Sequence, residues 1–238
     1  MIKIKSTIFR ALLMITISQA FAQEIAIEKG IGWLSGVQNP DGSWKGSITT
    51  DFHTTAEVIG TIYYLGTTNP KAIQWITEQK AENTDYLSRK ILSLSLAGSD
   101  TTELIGTLTS SQNEDGGWGI ALGYESDCLD TLISLSALKS ANYSDTAVIE
   151  GALWYLISSQ NPDGGWGFNE ESGSSVYLTS LVLLTLDQYR TQYYLEESIT
   201  KATNWLITQT PESLWEKALM YSAIMKKDLL EDILNAQL

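Results

Sequence analysis

One short motif occurs three times in this chain of 238 residues, and it restricts the possible folds more than any other feature. The copies read QNPDGSW at residues 38–44, QNEDGGW at 112–118 and QNPDGGW at 160–166. Each copy follows a segment whose apolar residues recur at helical spacing, which predicts an α-helix ending at the glutamine. A repeated helical unit indicates a repeat protein, in which each unit packs against its neighbours.

Two further segments keep the helix and its glutamine but lose the glycine turn. They are residues 75–79 (WITEQ) and 205–209 (WLITQ). The five glutamines then stand 41, 33, 48 and 49 residues apart, which leaves room for two helices in each unit. The sequence therefore predicts an all-α fold of about five helix pairs.

The second helix of each well-preserved unit has its own signature. Asp51, Asp127 and Ser175 each stand four residues before a threonine and an apolar run, so each is predicted to be the N-cap of a helix. Runs such as 181–186 are apolar on nearly all sides, as in helices that are buried all round. The first helices are more amphipathic. We therefore expect two layers, with the second helices inside and the first helices outside.

The repeated motif itself is predicted to be structural. Its glycine supplies the positive φ that closes the turn, its glutamine bonds the loop backbone, and its tryptophan folds back on the helix end. The residues concerned are Gln38, Gly42, Trp44, Gln112, Gly116, Trp118, Gln160, Gly164 and Trp166. A platform for a carbohydrate or another ligand, built from these tryptophans, is the alternative. The aromatic residues Tyr63, Tyr64, Trp154, Tyr155, Tyr193 and Tyr194 are expected mainly in the core, with the lining of an apolar cavity as the alternative.

Residues 1–22 have the features of a secretory signal peptide. Three basic residues and no acidic residue precede the apolar run 11–17, and Ala20-Phe21-Ala22 forms a cleavage site before Gln23. The apolar run is too short to span a bilayer. We therefore predict export to the periplasm or the medium, with 23–238 as a single helical-repeat domain.

Charge and composition exclude several partners. Without residues 1–22 the chain has 28 acidic and 12 basic residues, a net charge of −16, which disfavours nucleic acids and anionic membrane surfaces. The chain contains one cysteine, Cys128, and one histidine, His53, so the usual Cys/His zinc sites cannot be built. We predict no metal and no cofactor.

A helix ending in Gln, then a D-G-x-W turn, then a buried helix that opens with Thr resembles a known repeat. It is the repeat of squalene-hopene cyclases, oxidosqualene cyclases and the catalytic chain of protein prenyltransferases. The resemblance covers about residues 24–225. It implies an α/α toroid, in which inner helices form a barrel inside a ring of outer helices. It also implies that the N-termini of the inner helices face the mouth where the active sites of these enzymes lie.

The catalytic motif of the cyclases is incomplete in this chain. Squalene-hopene cyclases protonate an alkene with the central acid of a D-x-D-D-T motif, and the best match here is DCLDT at residues 127–131. Leu129 stands at the place of the central acid, while His53 and Tyr177 stand at the corresponding places of the first and third units. The zinc ligands of the prenyltransferases also lack a match, because Cys128 and His53 belong to different units. We therefore do not expect the protonation chemistry of the family.

Two functions remain open at this stage. The first is a non-catalytic secreted toroid that binds an apolar small molecule, a polymeric ligand such as a glycan, or a protein at the barrel mouth. The second is an enzyme on the same toroid, either a terpenoid cyclase with a displaced acid or a glycan-degrading enzyme. An enzyme would bring carboxylates or an Arg/Tyr pair together at the mouth. The candidate residues are Asp51, His53, Asp127, Asp130 and Tyr177.

Overall fold

The computed structural model describes residues 27–47, 49–169 and 171–225. The predicted signal peptide lies outside these residues. Within them the chain forms ten helices and no strand beyond an isolated bridge between Trp118 and Asp127. The helices are α1 (27–36), α2 (Asp51–Tyr64), α3 (Pro70–Glu78), α4 (Thr84–Leu96), α5 (Thr102–Ser110), α6 (Cys128–Ser140), α7 (Thr146–Ser158), α8 (Val176–Asp187), α9 (Glu196–Ile207) and α10 (Leu214–Ile224).

The helices form two layers. The second helices of the units, α2, α4, α6, α8 and α10, pack against one another in chain order. The first helices pack on them from outside: α3 contacts α2 and α4, α7 contacts α6, and α9 contacts α8 and α10. The predicted all-α toroid of about five helix pairs is therefore confirmed, with the second helices inside.

The glycine turn ties neighbouring units together through hydrogen bonds. In the second copy, Nε2 of Gln112 donates to the carbonyl of Gly116 at 2.7 Å and to that of Val148 in α7 at 2.9 Å. Nε1 of the buried Trp118 donates to the carbonyl of Leu108 in α5 at 2.8 Å. The other copies repeat both types of bond, from Gln38 to Gly42, Gln160 to Gly164, Trp44 to Leu34 and Trp166 to Leu156. The three glycines have φ between +87° and +99°.

The predicted N-caps are confirmed at two of the three helices. Asp127 and Ser175 cap α6 and α8 with their side-chain oxygens. The prediction for Asp51 is wrong, because Thr50 caps α2 and the carboxylate of Asp51 accepts from the N–H of Gly46 at 2.9 Å. The loop explains the difference. Trp44 stands 11 residues before its threonine, whereas the tryptophans of the other two copies stand 13 residues before theirs.

The degenerate copies use their glutamines differently. Nε2 of Gln79 donates to the carbonyl of Trp75 at 3.0 Å, and Nε2 of Gln209 donates to that of Trp205 at 3.2 Å. These bonds lie within the helix that ends at each glutamine. In the well-preserved copies, by contrast, the glutamine bonds the turn and the next outer helix.

The expectation that the six other aromatic residues lie mainly in the core is wrong for four of them. Tyr63, Tyr64, Trp154 and Tyr194 are exposed. Tyr64 and Tyr63 stand at the end of α2, and Tyr194 lies before α9. Trp154 lies on α7, which departs from the expected amphipathic pattern of the first helices and is apolar on nearly all sides, so its sequence does not identify the face that is buried.

Candidate functional site

A cavity of about 550 Å³ lies between the inner helices. All five of them contribute to its lining. Its apolar wall consists of Ala56, Leu92, Leu132, Ile133, Leu181, Leu184 and Leu219. This volume is in the range of protein sites for small molecules, which are typically apolar with a few polar groups.

Polar and aromatic side chains converge at one end of the cavity. They come from the N-terminal halves of four inner helices: His53 and Glu57 from α2, Arg89 from α4, Tyr177 from α8 and Trp215 from α10. This is the mouth that the family resemblance indicates. Two of the predicted candidates, His53 and Tyr177, lie in the lining.

Arg89 is held by two carboxylates. Its Nε donates to Oδ1 of Asp85 at 2.7 Å, and its Nη1 contacts Oε1 of Glu57. The side chain is only 12% exposed. Burial opposes the charge of the guanidinium, but the two carboxylates outweigh burial and raise the pKa of Arg89. Arg89 is therefore a fixed cation whose charge is paired within the protein, by two of its five N–H groups.

His53 and Tyr177 present neutral groups to the mouth. Burial, followed by the charge of Arg89, lowers the pKa of His53, so its imidazole is neutral at pH 7. Burial raises the pKa of the Tyr177 hydroxyl, which stays protonated. The ring of Tyr177 packs edge-on against Trp215 with 5.1 Å between ring centroids. Both residues can therefore hydrogen-bond a neutral polar group.

The cavity extends to the opposite ends of the inner helices. Tyr64 lines it at the end of α2, with Ser136, Thr185 and Gln188 from α6 and α8. At 1.5 Å per helical residue, Tyr64 lies about 16 Å along α2 from His53. The cavity is therefore long enough for an extended apolar chain with a polar group at either end.

Asp127 and Asp130 do not line the cavity, although the charges of Asp85 and Arg89 near its mouth act on the pKa of Asp130. Oδ1 of Asp127 accepts from the N–H of Asp130 at 2.9 Å, as an N-cap does. Asp130 is 7% exposed, and burial, then the charge of Asp127, raises its pKa to about 8. Asp130 is therefore mostly protonated at pH 7. Neither residue is among the described side chains that line the cavity.

The remaining candidate, Asp51, also lies outside the cavity lining, as do Leu129 and Cys128. Asp51 bonds Gly46, Leu129 packs partly buried against the core, and Cys128 is buried at the start of α6. In the described part of the chain no group of three or more His, Cys, Asp and Glu side chains could hold a metal ion.

Sequence reasoning missed Glu57, Asp85, Arg89 and Trp215. Helix α4 follows a degenerate unit without the glycine turn, so no motif marked its start. A signal was present, because Asn83 caps α4 and Asp85 stands four residues before Arg89, the spacing of a helical ion pair.

A model of the squalene-hopene cyclase C-terminal domain family matches residues 5–176. The match covers well over half of the chain, and the chain therefore belongs to this family. Its start lies inside the predicted signal peptide. No curated protein matches the chain. Within the described residues, no helix has the length and apolar character needed to cross a membrane.

Proposed function

We propose that this protein is an exported toroid that binds an apolar small molecule in its central cavity, without the protonation chemistry of the family. The observation that carries the proposal is the long apolar cavity between the inner helices, lined at its mouth by His53, Glu57, Arg89 and Tyr177. Among the ligands left open by the sequence, an apolar small molecule suits this shape better than a polymer or a protein.

The charges at the mouth favour a ligand with a neutral polar end. Arg89 is already bonded to Asp85 and Glu57, so an anionic head group finds no unpaired cation among the described lining residues. An anion would also lie close to the carboxylate of Glu57. A hydroxyl group can instead bond the neutral imidazole of His53 or the hydroxyl of Tyr177. An isoprenoid alcohol has this chemistry.

The position of the acids supports a binding role without protonation. Leu129 stands where the central acid of the cyclase motif would be, and alkene protonation requires a strong acid in direct reach of the substrate. Asp130 carries a proton at pH 7, but its side chain does not line the cavity. In this proposal Asp127 and Asp130 belong to the scaffold of α6.

Isothermal titration calorimetry with farnesol and farnesyl monophosphate tests this proposal. We expect farnesol to bind more tightly than the phosphate. Leu181→Trp should fill the cavity and weaken farnesol binding at least tenfold, because Leu181 lines the wall. The control is Leu122→Trp, which adds the same side chain at an exposed position. The proposal would be contradicted if farnesol bound both variants equally well, or if farnesyl monophosphate bound more tightly than farnesol.

The second candidate function is a cyclase that uses Asp130 as a displaced acid. One observation bears on it: with a pKa of about 8, Asp130 carries a proton at pH 7, although a carboxyl of this pKa is a weak acid for an alkene. Turnover of squalene or a shorter polyprene by the unmodified protein, lost in Asp130→Asn at unchanged stability, would establish it. Leu129→Asp is the matched test of whether restoring the central acid creates activity. A glycan-degrading enzyme is not favoured, because Glu57 is the sole carboxylate among the described lining residues.

A further inference from the structure

Most polar side chains at the end of the cavity away from the mouth bond the protein itself. The hydroxyl of Thr61 donates to the carbonyl of Glu57 at 2.9 Å, and that of Thr185 donates to the carbonyl of Leu181 at 3.0 Å. The hydroxyls of Ser136 and Thr185 share a hydrogen bond of 3.3 Å. These groups have little hydrogen-bonding capacity left for a ligand, so this end of the cavity suits an apolar chain.

Arg89, at the mouth, has donors that the protein does not use. A guanidinium carries five N–H groups, and Asp85 and Glu57 accept from one each. Among the described residues, none accepts a hydrogen bond from the other three. Arg89 lines the cavity and its side chain is only 12% exposed, so the unused N–H groups are largely withdrawn from bulk water.

The guanidinium of Arg89 lies near the two neutral polar groups of the mouth. After burial, its charge is the next cause that lowers the pKa of His53, and for Tyr177 it opposes the rise in pKa that burial produces. The three side chains come from α2, α4 and α8 and line the same cavity. Because Asp85 and Glu57 fix the guanidinium, its unused donors are held in place before a ligand binds.

We propose that Arg89 selects the polar end of the ligand by donating a hydrogen bond from an unused N–H group to a neutral oxygen atom. This proposal rests on the function proposed for the central cavity and defines the ligand class more closely, as an apolar chain that ends in an alcohol, ether or carbonyl oxygen. A hydrogen bond from a charged donor is stronger than one between neutral groups. A hydrocarbon would cover the same donors without offering an acceptor, which weakens binding. The polar end of the ligand therefore lies at the mouth.

Glu57 and His53 offer a different mode of recognition, in which they accept a hydrogen bond from the ligand. That mode requires a ligand that donates, such as an alcohol, whereas Arg89 requires only a ligand that accepts. An ether separates the two modes, because its oxygen accepts a hydrogen bond but cannot donate one.

The test is equilibrium dialysis of the purified protein with three related ligands. They are farnesol, farnesyl methyl ether and 2,6,10-trimethyldodeca-2,6,10-triene, the hydrocarbon that lacks the hydroxyl of farnesol. Each ligand is supplied in cyclodextrin, and the amount that the protein retains is measured by gas chromatography. We expect the unmodified protein to bind farnesol and the ether roughly tenfold or more tightly than the hydrocarbon, which leaves charged donors without an acceptor.

Arg89→Lys keeps a positive charge beside Asp85 but ends one bond earlier, so it lacks the Nη donors. We expect it to reduce the advantage of the ether over the hydrocarbon to about threefold or less, with the affinity for the hydrocarbon unchanged. A merely structural role of Arg89 would instead weaken all three ligands alike. Arg190→Lys is the matched control, since Arg190 also pairs with two carboxylates, those of Asp187 and Glu196, but does not line the cavity.

Tyr177→Phe removes the other hydroxyl that could donate to an ether, and the ether should keep most of its advantage in this variant. Thermal unfolding followed by circular dichroism verifies that each variant is folded. Arg89→Met takes the place of Arg89→Lys, with the same expectation, if the lysine variant does not fold.

The proposal for Arg89 is overturned if the ether binds no more tightly than the hydrocarbon, or if its advantage persists without Arg89. Equal affinities for all three ligands would overturn it and leave the function proposed for the cavity intact. Failure of all three ligands to bind would overturn that function as well.

Discussion

The side-chain hydroxyl of Thr131 accepts a hydrogen bond of 2.9 Å from the backbone N–H of Trp118, and both residues are fully buried. The indole of the same tryptophan donates to Leu108 in the outer helix α5. Trp118 therefore connects the inner and outer layers through two hydrogen bonds. Thr55 and Thr179 accept the equivalent bonds from Trp44 and Trp166 at 2.9 Å.

Thr131→Val should lower the free energy of unfolding by about 1–3 kcal/mol, because it leaves the buried N–H of Trp118 without its acceptor while keeping the side-chain shape. Urea denaturation measures the effect. Thr107→Val is the control, since the hydroxyl of Thr107 is exposed and bonds only its own helix at 3.1 Å. A loss at Thr131 no larger than that at Thr107 would show that the bond does not hold the layers together.

Asp127 is expected to act as a helix cap. Asp127→Ala should lower the free energy of unfolding by about 0.5–2 kcal/mol, whereas Asp127→Asn and Asp127→Ser should be nearly silent. Ser175 already fills the equivalent place at α8. The measurement is thermal unfolding at pH 6, where Asp130 is protonated. Similar losses in all three variants would indicate that the charge of Asp127, rather than its capping oxygen, is required.

Asp130 should make the stability of the protein depend on pH. Its folded-state pKa of about 8 lies above the ordinary value of 3.8, so the folded protein binds this proton more tightly than the unfolded chain does. The resulting stabilisation is complete below about pH 4 and is lost as the pH rises through about 8. Asp130→Asn removes this titration. We therefore expect the melting temperature of the unmodified protein, relative to that of Asp130→Asn, to fall between pH 5 and pH 9. A constant difference over this range would contradict the raised pKa.

The repeat architecture could be predicted from the sequence because the turn chemistry is local. The glycine with positive φ, the glutamine before it and the tryptophan after it recur at fixed spacing. The helical spacing of apolar residues predicts the helices between these turns. The error at Asp51 has a local cause, since the loop in that unit is two residues shorter and Thr50 takes the capping place.

The candidate site could be predicted only in part. His53 and Tyr177 were found because they begin inner helices of motif-bearing units. Arg89 and Glu57 belong to different inner helices, and their contact depends on how those helices pack. Asp130 is not among the residues that line the cavity, and because α6 is apolar on nearly all sides, its sequence pattern does not indicate which of its side chains face the cavity.

Export can be tested on the N-terminus of the protein. We expect cleavage before Gln23 when the full chain is expressed in a bacterial host with a working secretion system. Intact-mass spectrometry of the periplasmic and medium fractions should then show a chain that begins at Gln23. An extracytoplasmic species that keeps residues 1–22 would contradict the predicted signal peptide.

The central claim is that the cavity binds an apolar molecule and releases it unchanged. It is tested most directly by incubating the protein with squalene and with farnesol, isolating the complex, and analysing the extracted ligand by gas chromatography with mass spectrometry. Chromatography is essential because cyclisation of squalene to a hydrocarbon leaves the mass unaltered. We predict that the ligand co-purifies with the protein and elutes as the starting compound. Leu181→Trp should lower the amount of ligand that the protein retains. Recovery of a cyclic product whose formation requires Asp130, or no retained ligand at all, would contradict the account.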